Sequence, residues 1–156
     1  MTRLTADQLN ITQVEYDALI WVRDAIDPEI PDHDLPAWMR FDMSNWGYLS
    51  SNRALNEPRC GTACCIGGSM EMHMAGLTAK PADHVLTGHD VHDFEYAFEN
   101  LTQSSTGSKA LYNLFFSYPH DSELTSRPRA VEAIDRFLAG NTENPWKLPG
   151  IDDNDD

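Results

Sequence analysis

The residues able to do chemistry fall in one third of the chain. Cys60, Cys64 and Cys65 are its only cysteines, and four of its six histidines, His73, His84, His89 and His92, follow them closely. A thiolate beside an imidazole supports acyl transfer or thiol exchange, which makes Cys60, Cys64 and His73 the candidate catalytic set. Mixed sulfur and imidazole donors suit zinc, which makes Cys60, Cys64, His89 and His92 the candidate ligand set. Neither spacing takes a common form. Cys60 and Cys64 read C-x3-C rather than the C-x2-C of redox sites and zinc knuckles, and His84, His89 and His92 read H-x4-H-x2-H. The preferred reading is therefore architectural: small apolar sulfurs fill a crowded helix start, with no catalytic residue and no cofactor. Zinc is the alternative cofactor, and the weight falls against an enzyme.

The element that must position the cysteines runs through Arg59–Leu77, which also holds four of the nine glycines and three of the six methionines. Thr62 is a good N-cap, so a helix is predicted from Ala63, with Cys64 and Cys65 in a first turn whose free N–H groups favour a thiolate. Ala63, Ile66, Gly67, Met70, Met74 and Leu77 recur at helical spacing, and Gly76 is placed to end the helix in the left-handed conformation. Gly67 and Gly68 each cost about 1 kcal/mol relative to Ala in an exposed helix. Their presence predicts close approach of another backbone, and hence a central, tightly packed helix.

The pattern Cys-Gly-Thr-x-x-Cys-Ile-x-Gly, from Cys60 to Gly68, follows Phe41-Asp42-Met43-Ser44-Asn45-Trp46 and precedes Leu114-Phe115-Phe116. In these features the middle half of the chain resembles a group of small uncharacterised bacterial and phage proteins. The resemblance implies a shared fold and carries over no catalytic residue.

Around this centre the periodicity is helical. Thr5 with Gln8 and Thr12 with Glu15 form two successive capping boxes, with Leu4/Leu9 and Ile11/Tyr16 as staples. The second opens a helix with Val14, Ala18, Leu19, Val22, Ala25 and Ile26 on its apolar face, ending before Asp27-Pro28. A proline-rich acidic loop spans 27–36. Further helices are predicted over Asp93–Leu101, with Thr87 or Asp90 able to cap an earlier start; over Lys109–Phe116, capped by Ser108; and from Ser126 through Leu138, stopped by Gly140-Asn141. Trp146 is expected to pack back onto the bundle. No segment alternates like a long half-buried strand, and no phosphate-cradling loop or nucleophile elbow occurs. The expected fold is mainly α: one compact domain over 1–150, about five helices around the Cys/Gly-rich helix, with a short β ribbon as an optional accessory. A flexible acidic tail is expected over 151–156.

Composition bounds the function. At 156 residues and 41% hydrophobic, the chain can bury a sizeable core without disulfides. No apolar run is long enough to span a membrane, the first residues lack a signal-peptide core, and the odd cysteine count fits reduced thiols, so a cytoplasmic protein is expected. The net charge is −14, about −10 without the four terminal aspartates. Such a surface disfavours direct contact with nucleic acid or anionic membrane and suits a protein partner with a basic surface. Asp24, Asp27, Glu29, Asp32 and Asp34 are the candidate acidic face, and exposed aromatics such as Trp38 or Trp46 the candidate anchors. DNA-charge mimicry by a small phage or mobile-element inhibitor is the most concrete form of this binding reading.

Overall fold

The fold, obtained as a computed structural model, is described here over residues 2–44, 46–47, 49–57, 63–103, 107–116, 118 and 126–147. Cys60, Arg59, Thr62, Asn45 and the 151–156 tail lie outside these residues. The protein is mainly helical, as the periodicity predicts. Among the described residues, α1 (Ala6–Leu9), α2 (Gln13–Ile26), α3 (Ile66–Met74), α4 (Gly88–Gln103), α5 (Gly107–Phe116) and α6 (Arg127–Leu138) enclose one apolar core. Two short strands, β1 (Arg40–Phe41) and β2 (Ala63–Cys64), pair in parallel, and the Asp42 N–H extends the pair to the Cys64 carbonyl at 2.8 Å.

Local chemistry explains most boundaries. Both N-terminal capping boxes form: Thr5 and Thr12 accept from the N–H groups of Gln8 and Glu15, whose side chains accept from the threonine N–H groups in return. Thr87 and Asp90 form a third reciprocal pair, which starts α4 at Gly88, five residues before the predicted Asp93. Helix α5 likewise begins ahead of Lys109, so Ser108 stands inside it. Ser126 occupies the N-cap of α6 with extended backbone, but its side chain makes no capping hydrogen bond. The α6 stripe of Val131, Ile134, Phe137 and Leu138 is buried, and the buried Trp146 indole donates to the Leu114 carbonyl at 2.9 Å.

The cysteine helix starts later than its apolar pattern suggests. Ala63 and Cys64 are drawn into β2, and Cys65 becomes the N-cap, its Sγ accepting from the Gly68 N–H at 3.4 Å. At the other end the helix stops as predicted, with Gly76 at φ +76°. Helix α3 packs against α2, α4 and α5, and every residue from Ile66 to Met72 is buried, so this helix has no solvent face for most of its length.

The two glycines are required by a single neighbour. A Cβ on Gly68 would lie 1.7 Å from the Trp46 carbonyl oxygen, and one on Gly67 would lie 2.2 Å from Cη2 of the Trp46 ring. Trp46 is therefore seated in a notch that only hydrogen side chains leave open. Backbone cannot shift as a flexible side chain can, so Gly68→Ala should cost ~3 kcal/mol or more of unfolding free energy. Gly76→Ala, where only the positive φ is at stake, should cost ~1 kcal/mol. Urea denaturation of the two variants checks this order, and equal stability would contradict the notch.

Candidate functional site

The notch in α3 sets up an unusual polar pair. Glu71, one turn along α3 from the glycines, has no exposed surface, and its Oε2 accepts a short hydrogen bond from the Trp46 indole N–H. Its other oxygen, Oε1, is buried without a hydrogen-bond partner among the described residues. Burial, above all, pushes the Glu71 carboxyl up from its ordinary 4.5 to about 8; the indole hydrogen bond works against that rise and the Glu95 charge adds to it. At neutral pH Glu71 is then mostly a neutral acid, held by one oxygen and able to donate from the other. A cleft of about 220 Å³ lies against this pair, with Leu49, Phe94, Glu95 and Phe98 among its walls.

Trp46 also organises the surface above the cleft. Its ring meets Phe98 and Phe115 edge-on at centroid distances of 5.5 and 5.4 Å and stacks on Phe116 at 5.7 Å, and Phe116 in turn touches Tyr112 at 5.1 Å. Phe115 is buried, whereas Phe98, Tyr112 and Phe116 are 38, 57 and 47% exposed. These five rings form a continuous cluster, with Phe115 in the core and Phe98, Tyr112 and Phe116 facing water. Glu95 and Glu99, both exposed on α4, flank Phe98.

The residues singled out from the sequence are dispersed. Cys64 and Cys65 are buried and unbridged. Burial, first, and then Cys65 and Glu71 drive the Cys64 thiol far above its ordinary range. Cys65 is raised to about 11, burial outweighing the Gly68 and Gly67 N–H groups that favour its thiolate. The thiolate expected from the helix start is thus overridden by desolvation, and both groups are neutral thiols at physiological pH. His73 sits at the far end of α3, eight residues or about 12 Å of helix rise from Cys65. There its ring stacks on Trp21 at 4.4 Å, and its Nδ1 lies 3.1 Å from Thr78 Oγ1. Burial and the nearby His33 lower its pKa, with Asp17 opposing them.

His89 and His92 do share a face of α4, but it is the solvent face, beside Asp93, while His84 bonds Asp90 at 2.9 Å. Among the described residues, no three of His, Cys, Asp and Glu gather as a metal-binding group. The acidic loop is partly neutralised from within. Arg23 holds Asp24 at 3.2 Å and Asp27 at 2.7 Å while clasping Asp135, and Arg127 reaches Asp34 at 3.1 Å. Glu29 and Asp32 are exposed, and Trp38 is half-buried against the core. No helix among the described residues is long and apolar enough to cross a membrane.

Glu71 and the Phe98–Phe116 face were not evident from periodicity, although Trp46 and the glycine pair both pointed toward them. Comparisons with protein-family models, curated proteins and solved structures give no match.

Two outcomes follow from these surroundings. The folded state holds a proton on Glu71 between about 4.5 and about 8 that the unfolded chain releases. The stability it contributes is complete below that window and declines as pH rises through it, by up to ~1.4 kcal/mol per pH unit. Glu71→Gln keeps an acceptor for the indole and removes the titration, so its stability should fall less with pH than that of the parent chain; parallel pH profiles would contradict a protonated Glu71. Alkylation mapped by mass spectrometry should modify Cys64 and Cys65 only on unfolding, and rapid labelling of either in the native protein would contradict their burial.

Proposed function

We propose that this protein acts by binding another macromolecule, a protein with a basic surface, through the aromatic face centred on Trp46. The observation that carries the reading is the run of touching rings, Phe98, Trp46, Phe116 and Tyr112, three of them substantially exposed. Exposed contiguous apolar patches mark interaction sites, and large aromatic side chains are the usual anchors of such contacts. Charge selects the partner. The net charge of −14 and the flanking Glu95 and Glu99 favour approach of a cationic surface, whose arginines can lie on aromatic faces while pairing with the carboxylates.

DNA-charge mimicry is the finer version of this proposal. It draws on the overall charge and on a resemblance to small phage and bacterial proteins, and a cytoplasmic setting draws on the odd cysteine count. The acidic loop lends it limited support, because Asp24, Asp27 and Asp34 already have arginine partners. The aromatic face is the favoured contact, with Glu29 and Asp32 as the acids of the loop left to add long-range attraction.

Titration with an arginine-rich peptide tests the assignment. Binding should weaken with added salt. Joint replacement Tyr112→Ser and Phe116→Ser should reduce affinity about tenfold or more, with the fold checked by thermal melting. Joint replacement Glu29→Gln and Asp32→Asn should reduce it less. Unchanged affinity in the serine variant, or a larger loss in the loop variant, would move the contact away from Trp46.

A further inference from the structure

The cleft beside Trp46 brings two carboxyl groups to one space. Its volume is about 220 Å³, and Glu71 of α3 and Glu95 of α4 both stand in its walls, with Trp46, Gly47 and Phe98. Glu95 is exposed, whereas Glu71 has no exposed surface. The indole N–H of Trp46 satisfies one Glu71 oxygen, and nothing among the described residues satisfies the other. A neutral acid tolerates that arrangement far better than a carboxylate, whose second oxygen needs donors or water. The two walls also differ in strength. On the α3 side, Trp46 is held by the notch at Gly67 and Gly68 and by the buried Phe115. On the α4 side it meets Phe98 edge-on, at the margin of the core, where that ring is 38% exposed.

We propose that this cleft is a pH-sensitive joint: when Glu71 loses its proton to solvent, the cleft opens on its α4 side, water reaches the new carboxylate, and Phe98 parts from Trp46. The side that yields follows from relative strengths. An indole donates more strongly to a carboxylate than to a neutral acid, so Trp46 stays with Glu71. The edge-on contact with Phe98 is worth much less than the desolvation of a charge, so it is the contact given up. The groups around Glu71 offer a carboxylate no relief. Glu95 of α4 opposes a second negative charge, and Cys64 and Cys65 at the β2 end are neutral thiols. On α2, Glu15 belongs to its capping box, Asp17 acts on His73, and Arg23 is clasped by Asp24, Asp27 and Asp135. Tyr112 of α5 lies in the exposed part of the aromatic face, and the single turn over Leu77–Ala79 carries no ionisable side chain. Burial, above all, holds the Glu71 carboxyl at about 8, so the joint changes state just above neutrality. The aromatic face is whole below that pH and divided above it. The joint acts on the face assigned above to partner binding, but its motion is read on the protein alone, so either assignment can fail without the other.

Nuclear Overhauser contacts and the Glu71 side-chain carboxyl shift, followed on the intact chain between about pH 6 and about pH 10, test the joint. Cross-peaks between the Phe98 and Trp46 rings are expected at the acidic end and should fade with the same midpoint as the carboxyl shift, while those from Trp46 to Gly67 persist. In Glu71→Gln, which cannot ionise, the Phe98 cross-peaks should survive across the whole range. Glu95→Gln, at an exposed position, removes the opposing charge and should lower the midpoint by roughly half a unit. Phe98 cross-peaks that outlast ionisation of Glu71, or that vanish equally in folded Glu71→Gln, would overturn the joint. So would a Glu71 carboxyl that does not titrate in this range, or loss of the Gly67 cross-peaks in the same step, since that is unfolding rather than opening. An unmoved midpoint in Glu95→Gln would overturn the part assigned to Glu95.

Discussion

The contact between Trp46 and the paired glycines of α3 is the constraint on which the rest of the structure depends. A carbonyl group and an indole ring occupy space that any side chain on Gly68 or Gly67 would claim. Because α3 is buried nearly all round, the loop carrying Trp46 can reach it only through such a notch. Once seated, the indole needs an acceptor for its N–H, and within the core the available group is Glu71. A polar group at the centre of an apolar core is costly, and here part of that cost is met by keeping the carboxyl protonated. The same close packing encloses the sulfurs, and burial suppresses the thiolate reactivity that the start of α3 would otherwise favour.

Trp46 joins interior to surface. One side of its ring system belongs to the core through Phe115, and the other emerges through Phe98 and Phe116. An aromatic face fixed in this way loses little freedom when a partner arrives, which favours affinity. Charge is distributed in a complementary manner. Arginines 23, 127, 129 and 136 are engaged with the protein's own acids or carbonyl groups, so much of the positive charge is spent on internal contacts. The clasp from Arg23 to Asp135 ties α2 to α6, while Glu95 and Glu99 of α4 face solvent.

Much of the fold could be read from local patterns because local chemistry determines it. The Thr5/Gln8 and Thr12/Glu15 boxes, the Gly76 stop and the α6 stripe depend on residues within a few positions of one another. Gly67 and Gly68 forecast a close backbone approach, yet the partner lies some twenty residues upstream in a loop with no periodicity to place it. The start of α3 departs from its local pattern for the same reason. Thr62 and Ala63 look like a helix opening until Phe41 and Arg40 draw Ala63 and Cys64 into a strand pair, leaving Cys65 to cap. Glu71 carries no local signal, because a lone acid in a helix ordinarily points to water, and only all-round burial of α3 reverses that expectation. The spacing of Phe94 and Phe98 suggests a shared apolar side of α4, but the buried stripe centres on Phe94, Ala97 and Leu101, and Phe98 falls at its edge.

The central claim, that Trp46 is locked into α3 and thereby sets both the buried acid and the exposed face, is tested most directly by nuclear Overhauser contacts in the folded protein. Strong cross-peaks are expected between the indole ring protons of Trp46 and the α protons of Gly67 and Gly68, with the indole N–H shifted by its bond to Glu71. Absence of those cross-peaks, with an indole N–H exchanging freely with water, would contradict the account at its foundation.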